Sequence, residues 1–135
     1  MESILVDTSV WVDWFSRKNS HTRQINLLED YLTEKFPVYT TAVVLQEVVQ
    51  GVREDHTYLI VKDVLLNVPM LRLDPVEAAI GAADLYRSLR KKGVTIRKSN
   101  DCLIAHYAIF YDIPVLHNDA DFDQIASHTA LRIAV

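Results

Sequence analysis

Apolar positions along this chain follow two rhythms, short unbroken runs and longer stretches at helical spacing. Ile4-Leu5-Val6 is a run of the first kind and predicts a short buried strand, after which Thr8-Ser9 can cap a helix carrying Val10, Trp11, Trp14 and Phe15. Ile25, Leu28 and Leu32, with Leu27 and Tyr31 beside them, predict a helix from about Thr22 to Thr33 that Pro37 breaks into a strand at Val38-Tyr39-Thr40. Helical spacing returns at Val44, Leu45, Val48, Val49 and Val52, and again from Leu59 to Leu65, before a strand at Met70-Leu71-Arg72-Leu73. Pro75 suits the first turn of a helix over about Val76 to Lys92, with Gly93 beyond its end. Ser99 or Asn100 can cap a further helix through about Tyr111, and Val115-Leu116-His117 and Leu131 to Val135 read as two more strands. Short apolar strands alternating with helices imply an α/β fold whose parallel sheet is covered on both faces.

Four acids interrupt this pattern. Asp7 follows Ile4-Leu5-Val6, Glu47 lies within the apolar helix around Val43 to Val49, Asp101 precedes Cys102-Leu103-Ile104-Ala105, and Asp119 follows Val115-Leu116-His117-Asn118. Buried carboxylates are costly unless paired or metal-bound, and no Lys or Arg adjoins Asp7, Glu47 or Asp119 in sequence. Asp7 and Asp119 lie at or just past strand ends, where open parallel sheets bind their ligands. Each acid has an ordinary explanation as well. Asp7 can cap a helix, Asp101 can answer a helix dipole, Asp119 can shape a turn, and Glu47 can pair with a distant Arg. Together they point further, because two unit charges about 4 Å apart repel by about 4 kcal/mol at an effective dielectric of about 20. An all-oxygen set of this kind suits Mg²⁺ or Mn²⁺ and lacks the nitrogen and sulfur ligands that zinc or copper prefer.

Length and composition narrow the classes. At 135 residues and 50% hydrophobic content, one domain over residues 1–135 is expected. A single cysteine, Cys102, excludes an internal disulfide and reads as a core thiol. No apolar run approaches membrane-spanning length and the N-terminus lacks a basic leader, so a cytoplasmic protein without a membrane partner is expected. The net charge of −4 argues against a nucleic-acid partner, but Arg87, Arg90, Lys91, Lys92, Arg97 and Lys98 cluster just before Asp101. They read either as a phosphate-binding patch, with Arg97 and Lys98 the best placed, or as a solvated helix end that answers its dipole. Arg17 and Lys18 form a smaller patch.

The segments Ile4-Leu5-Val6-Asp7-Thr8-Ser9-Val10-Trp11, Leu45-Gln46-Glu47-Val48-Val49-Gln50-Gly51, Asn100-Asp101-Cys102-Leu103-Ile104-Ala105 and His117-Asn118-Asp119-Ala120-Asp121-Phe122 resemble, in order and spacing, those of PIN-domain ribonucleases, and among these the VapC-type toxins. The resemblance implies a three-layer α/β/α sandwich with a central, mostly parallel sheet of four to five short strands. It implies a metal-dependent endoribonuclease acting as the toxin of a toxin–antitoxin pair. The catalytic acids would be Asp7, Glu47, Asp101 and Asp119, with Asp7, Asp101 and Asp119 holding Mg²⁺ or Mn²⁺, Asp119 supporting a second metal or ordering the nucleophile, and Glu47 binding through water or positioning it. Thr8 and Ser9 would bond to Asp7 or to a metal-bound water, and Arg97 and Lys98 would meet RNA. Asp121 and Asp123 lie close enough that Asp121 competes with Asp119, or else caps a helix starting at Phe122. His106 departs from the small residue common at that point and is expected to be packed or exposed. A cognate antitoxin covering the Trp11, Val12, Trp14 and Phe15 helix, and pairing into a homodimer, are further implications. The other readings are a PIN-like module that binds RNA or protein without cleaving it, and a DNA-directed nuclease of related fold.

Overall fold

The computed structural model describes residues 1–17 and 21–135. Along the chain run β1 (Ile4–Val6), α1 (Thr8–Ser16), α2 (Arg23–Glu34), β2 (Val38–Tyr39), α3 (Ala42–Gln50), α4 (Asp55–Leu66), α5 (Pro75–Lys91), α6 (Ser99–Tyr111), β3 (Val115–Leu116) and α7 (Ala120–His128). β1 is the central strand, parallel to β2 through Ile4–Val38 and Leu5–Tyr39 and to β3 through Leu5–Val115 and Val6–Leu116. Side chains alternate across a strand, so burial of all three β1 residues means that both faces of the sheet are covered. α1 packs against α2 and α3, α3 against α4, and α6 against α5 and α7.

The sheet has three strands, where four to five were expected. The two missing strands are present as single parallel bridges, Thr40 to Met70 beside β2 and Val115 to Ile133 beside β3. Their partners are too short to extend a ladder. β2 ends at Tyr39 because Thr41 turns to cap α3, its hydroxyl accepting the N–H of Val44 at 3.3 Å.

Local chemistry sets most helix ends. Thr22 caps α2 through the N–H of Ile25, and Asp74 caps α5 with Pro75 in its first turn. Gly93, at φ 83°, lets the chain reverse after α5 while the N–H of Val94 returns to Leu89 O at 2.9 Å. α6 departs from expectation, since Lys98 occupies its N-cap and no side chain caps it, leaving Ser99 and Asn100 inside the helix. Gly81 on α5 faces the ring of His106 on α6, and a Cβ there would overlap the ring, so His106 is packed between these helices. Cys102 is buried, and burial first, then Asp101 and Asp121, pushes its thiol up to about 11, as suits an inert core group. Among the described residues, no helix is long and apolar enough to cross a membrane.

Candidate active site

A cleft of about 320 Å³ opens past the carboxyl ends of β1 and β3, and its walls carry Asp7, Asp13, Glu47, Asp101, Asp119 and Lys98. A larger hollow of about 620 Å³ lies at the other rim of the sheet, but its acids, Glu2 and Asp112, are both paired with Arg132. The unusual carboxylate chemistry is therefore in the cleft.

Asp7 ends β1 and caps α1, its Oδ2 accepting the N–H of Ser9 at 3.0 Å and the Ser9 hydroxyl at 2.6 Å. It is buried, and burial raises its pKa despite the Ser9 and Thr8 donors, with the Glu47 charge adding to the rise. Glu47 projects from α3 and accepts from the Thr8 hydroxyl at 2.7 Å and from Asn100 Nδ2 at 3.4 Å. Thr8 thus orients Glu47, while Ser9 alone uses its hydroxyl on Asp7. Asp101 sits in the first turn of α6 with 4% of its surface exposed, and its Oδ2 is buried without a hydrogen-bond partner. Burial first, then the charges of Asp7 and Asp119, push its carboxyl up to about 8.

Asp119 caps α7 through the N–H of Asp121 at 3.0 Å and turns Oδ2 toward Lys98 Nζ at 3.4 Å. Burial acts to raise its pKa, but the Asp121 N–H and Lys98 outweigh it and hold the carboxylate below its usual range. Asp121 is not a cap. It lies in the first turn of α7, buried, accepting the backbone N–H of Arg97 at 3.3 Å with Arg97 Nε 3.8 Å away. Oxygens of Asp101, Asp119 and Asp121 all lie within 4.8 Å of one another.

The basic run divides in two. Arg97 and Lys98 turn to the acids, whereas Arg90 stacks over Tyr86 and Lys92 donates to His128 O. Arg17 borders a separate groove beside Trp14 and Phe15, and Lys18 lies outside the described residues.

The contacts of Asn118 and Asp13 escaped the sequence reading, which took His117 only as a strand-end residue. Asn118 donates its N–H to Ser9 Oγ at 2.9 Å and its Nδ2 to Asp13 Oδ2 at 3.1 Å, tying the β3–α7 turn to α1. His117 is buried; it accepts the Asp119 N–H on Nδ1 at 3.0 Å and meets Asp123 through Nε2 at 3.1 Å, which fixes the Asp119 turn. Ser9 and Asp13 stand one helical turn apart on α1, which is the one sequence signal for a shared face.

The PIN domain family pattern matches residues 4–127. The chain belongs to the PIN-domain family. VapC ribonuclease Mb1587 of Mycobacterium bovis is 34% identical over 131 residues, which are 97% of each chain. Ribonuclease VapC11 of Mycobacterium tuberculosis matches to the same extent. Among solved structures, the DNA-bound VapBC of Salmonella typhimurium gives a TM-score of 0.77 at 20% identity, over 99% of this chain and 98% of that one, a likeness of fold. In this PIN domain the orphaned Asp101 oxygen and the carboxylate oxygens close to it fit a hard divalent cation. A cation there would deprotonate Asp101 and satisfy that oxygen at once.

Proposed function

We propose that this protein is a Mg²⁺- or Mn²⁺-dependent endoribonuclease that acts as the toxin of a toxin–antitoxin pair and hydrolyses RNA phosphodiester bonds with water as the nucleophile. One observation carries the metal-dependent part. A carboxyl pushed up to about 8, with one oxygen buried and unpartnered, sits among Asp7, Glu47 and Asp119 at the ligand-binding rim of a parallel sheet. The 34% identity to VapC ribonucleases across nearly the whole length supports RNA as the substrate.

Asp7, Asp101 and Asp119 would hold the ion, and Glu47 would reach it directly or through water. When bound, the ion lowers the pKa of a coordinated water and offsets charge on the phosphate. The chain's own residues prepare that geometry. Ser9 fixes the Asp7 carboxylate, Thr8 and Asn100 fix Glu47, and His117 holds the Asp119 turn. Arg97 and Lys98, both exposed along their side chains, receive RNA phosphates at the mouth of the cleft.

The antitoxin would occupy the groove of about 460 Å³ lined by Trp14, Phe15, Ile25, Ile60 and Val64, to which the exposed Leu59 and Ile60 add apolar surface. Solved relatives of this fold include VapBC complexes, which supports such a partner. We further propose one PIN-like domain over residues 1–135, a homodimer, and a cytoplasmic site of action on RNA.

The test is to incubate purified, antitoxin-free protein with total RNA and with DNA in Mg²⁺ or Mn²⁺, alongside EDTA, Asp7→Asn and Asp101→Asn controls, mapping new ends by sequencing. New RNA ends that need the metal and both acids are expected. RNA cleavage that survives both substitutions would overturn the site, and cleavage of DNA alone would overturn the substrate.

A further inference from the structure

The acids of the cleft differ in what already engages them. Asp119 has both oxygens occupied, Oδ1 by the Asp121 N–H at 3.0 Å and Oδ2 by Lys98 Nζ at 3.4 Å. On the other side, Ser9 holds Asp7, Thr8 holds Glu47, and Asp101 keeps a buried oxygen with no partner. Among the described residues no Lys or Arg forms an ion pair with Asp7, Glu47 or Asp101.

Lys98 is built into this arrangement. It is the N-cap residue of α6, and its carbonyl accepts the N–H of Asp101 at 2.9 Å, so one turn of backbone fixes the lysine against the orphaned acid. Its stem is exposed, with 69% of the side chain open to solvent, while Nζ reaches into the cleft and lies against a carboxylate that is only 10% exposed. Nothing in the core depends on it. A lysine held this way by the backbone carries a permanent charge into the half of the cleft that a second divalent ion would need, and a dication entering there must displace or repel it.

We propose that Lys98 takes the place of a second metal ion, so that the cleft binds one divalent cation, held by Asp7, Asp101 and Asp119, while Lys98 supplies the other positive charge beside Asp119. This rests on the reading of the cleft as a metal-dependent nuclease. Asp119 would then be shared between Lys98 and the ion, and Lys98 Nζ would offer its charge to a bound phosphate. The arrangement gives Arg97 a lesser role, since its side chain answers Asp121 at the longer separation of 3.8 Å.

The test is a Mn²⁺ titration of metal-free protein, reading free Mn²⁺ by its paramagnetic resonance signal and heat by calorimetry, for wild type, Lys98→Met and Lys98→Arg. One ion per chain is expected for wild type and Lys98→Arg, and a second ion for Lys98→Met. RNA cleavage by Lys98→Met at low Mn²⁺ should fall by roughly tenfold and recover at high Mn²⁺, above the concentration that saturates the wild type, as a second ion replaces the lost charge. Lys98→Arg should show no such rescue. Thermal unfolding monitors the fold of each variant. Two ions in an active wild type, or one ion in a folded Lys98→Met without metal rescue, would overturn the assignment and leave the nuclease reading standing. A wild type that binds no Mn²⁺ and cleaves no RNA would bring down the nuclease reading itself.

Discussion

Asp101 and Asp119 offer oxygens to the same small volume, yet their environments drive them in opposite directions. Burial and the charges of Asp7 and Asp119 push Asp101 up to about 8, whereas the Asp121 N–H and Lys98 hold Asp119 below the usual carboxylate range against the effect of its own burial. The same contrast runs through their neighbours. Asp7 is buried and raised with only hydroxyl and amide donors around it, while Asp121 has Arg97 beside it. One half of the cleft lacks a cation, and Asp101 there keeps its proton up to about pH 8, whereas the other half carries its own cation. Acids that look alike in a linear motif therefore differ in what they still need, and a divalent cation would meet the need of Asp101.

The strongest way to break this comparison is to remove charge from the half without a cation. Asp101→Asn should lower metal-dependent RNA cleavage by at least about a hundred-fold, since changing residues that merely orient a ligand already costs about 10–100-fold. Mn²⁺ affinity, read by calorimetry, should fall with it. The folded protein should survive, because the amide, like the protonated Asp101 it replaces, brings no charge into the metal-free site. An Asp101→Asn protein with undiminished cleavage would show that the two halves do not differ as described.

Acidity gives a second test of the contrast. Asp101 binds its proton in the folded protein up to about pH 8, while an unfolded carboxyl releases its proton near the ordinary value of 3.8. Stability from this group is thus fully present below the unfolded value and is lost as pH rises through about 8. Asp7 is raised and contributes in the same direction. Asp119, being lowered, contributes in the opposite sense, with stability present at neutral pH and lost on acidification below its ordinary value. Melting in EDTA should therefore drop by several degrees from about pH 5 to about pH 9, and the stabilisation gained from Mn²⁺ should grow over the same interval. Asp101→Asn should flatten both trends.

Much of this was legible in residue order. Asp7 after an apolar run, Asp101 at the start of an apolar helix and Asp119 past a strand end were predictable because parallel strands share a direction, which brings their carboxyl ends to one rim. Glu47 reached the same rim because a helical stripe already fixed which way it faced. What was not legible depends on pairs far apart in sequence. Asn118 meets Ser9 and Asp13 across more than a hundred residues, and no local periodicity encodes that contact. Lys98 read equally well as a solvated helix-end charge or a phosphate contact, since only the fold brings Asp119 within 3.4 Å of it. The strands at Met70 and Ile133 were overestimated for a related reason. Their apolar runs are real, but a ladder cannot outgrow partners that turn away to cap helices or shape the cleft.

Ser9→Ala probes how far the Asp7 side depends on preorganisation. It removes the 2.6 Å hydroxyl bond to Asp7 and the acceptor for the Asn118 N–H, while the backbone bond from Ser9 to Asp7 remains. Mn²⁺ affinity should fall by about tenfold, the lower end of the range for groups that orient a metal ligand. A loss as large as that of Asp101→Asn would mean that the hydroxyl is a ligand itself and not an orienting group.

The smallest effect is expected where the Asp119 side meets solvent. His117 accepts the Asp119 N–H on Nδ1, so in that tautomer its Nε2 carries the hydrogen and donates to Asp123 Oδ1 at 3.1 Å. The imidazole is buried and positions the turn, but Asp123 is 66% exposed and serves mainly as an acceptor. Asp123→Asn keeps a carbonyl oxygen for that bond and removes only a screened charge, so stability should change by less than about 0.5 kcal/mol and cleavage by less than about twofold. His117→Ala removes the acceptor for the Asp119 N–H and should cost more, because it leaves a backbone donor near the cleft to find another partner and frees the carboxylate that faces Lys98. If Asp123→Asn instead matched His117→Ala in lost cleavage, the pair would be acting as one charged unit. The half of the cleft that carries its own cations would then depend on Asp123 as well as on Lys98 and Arg97.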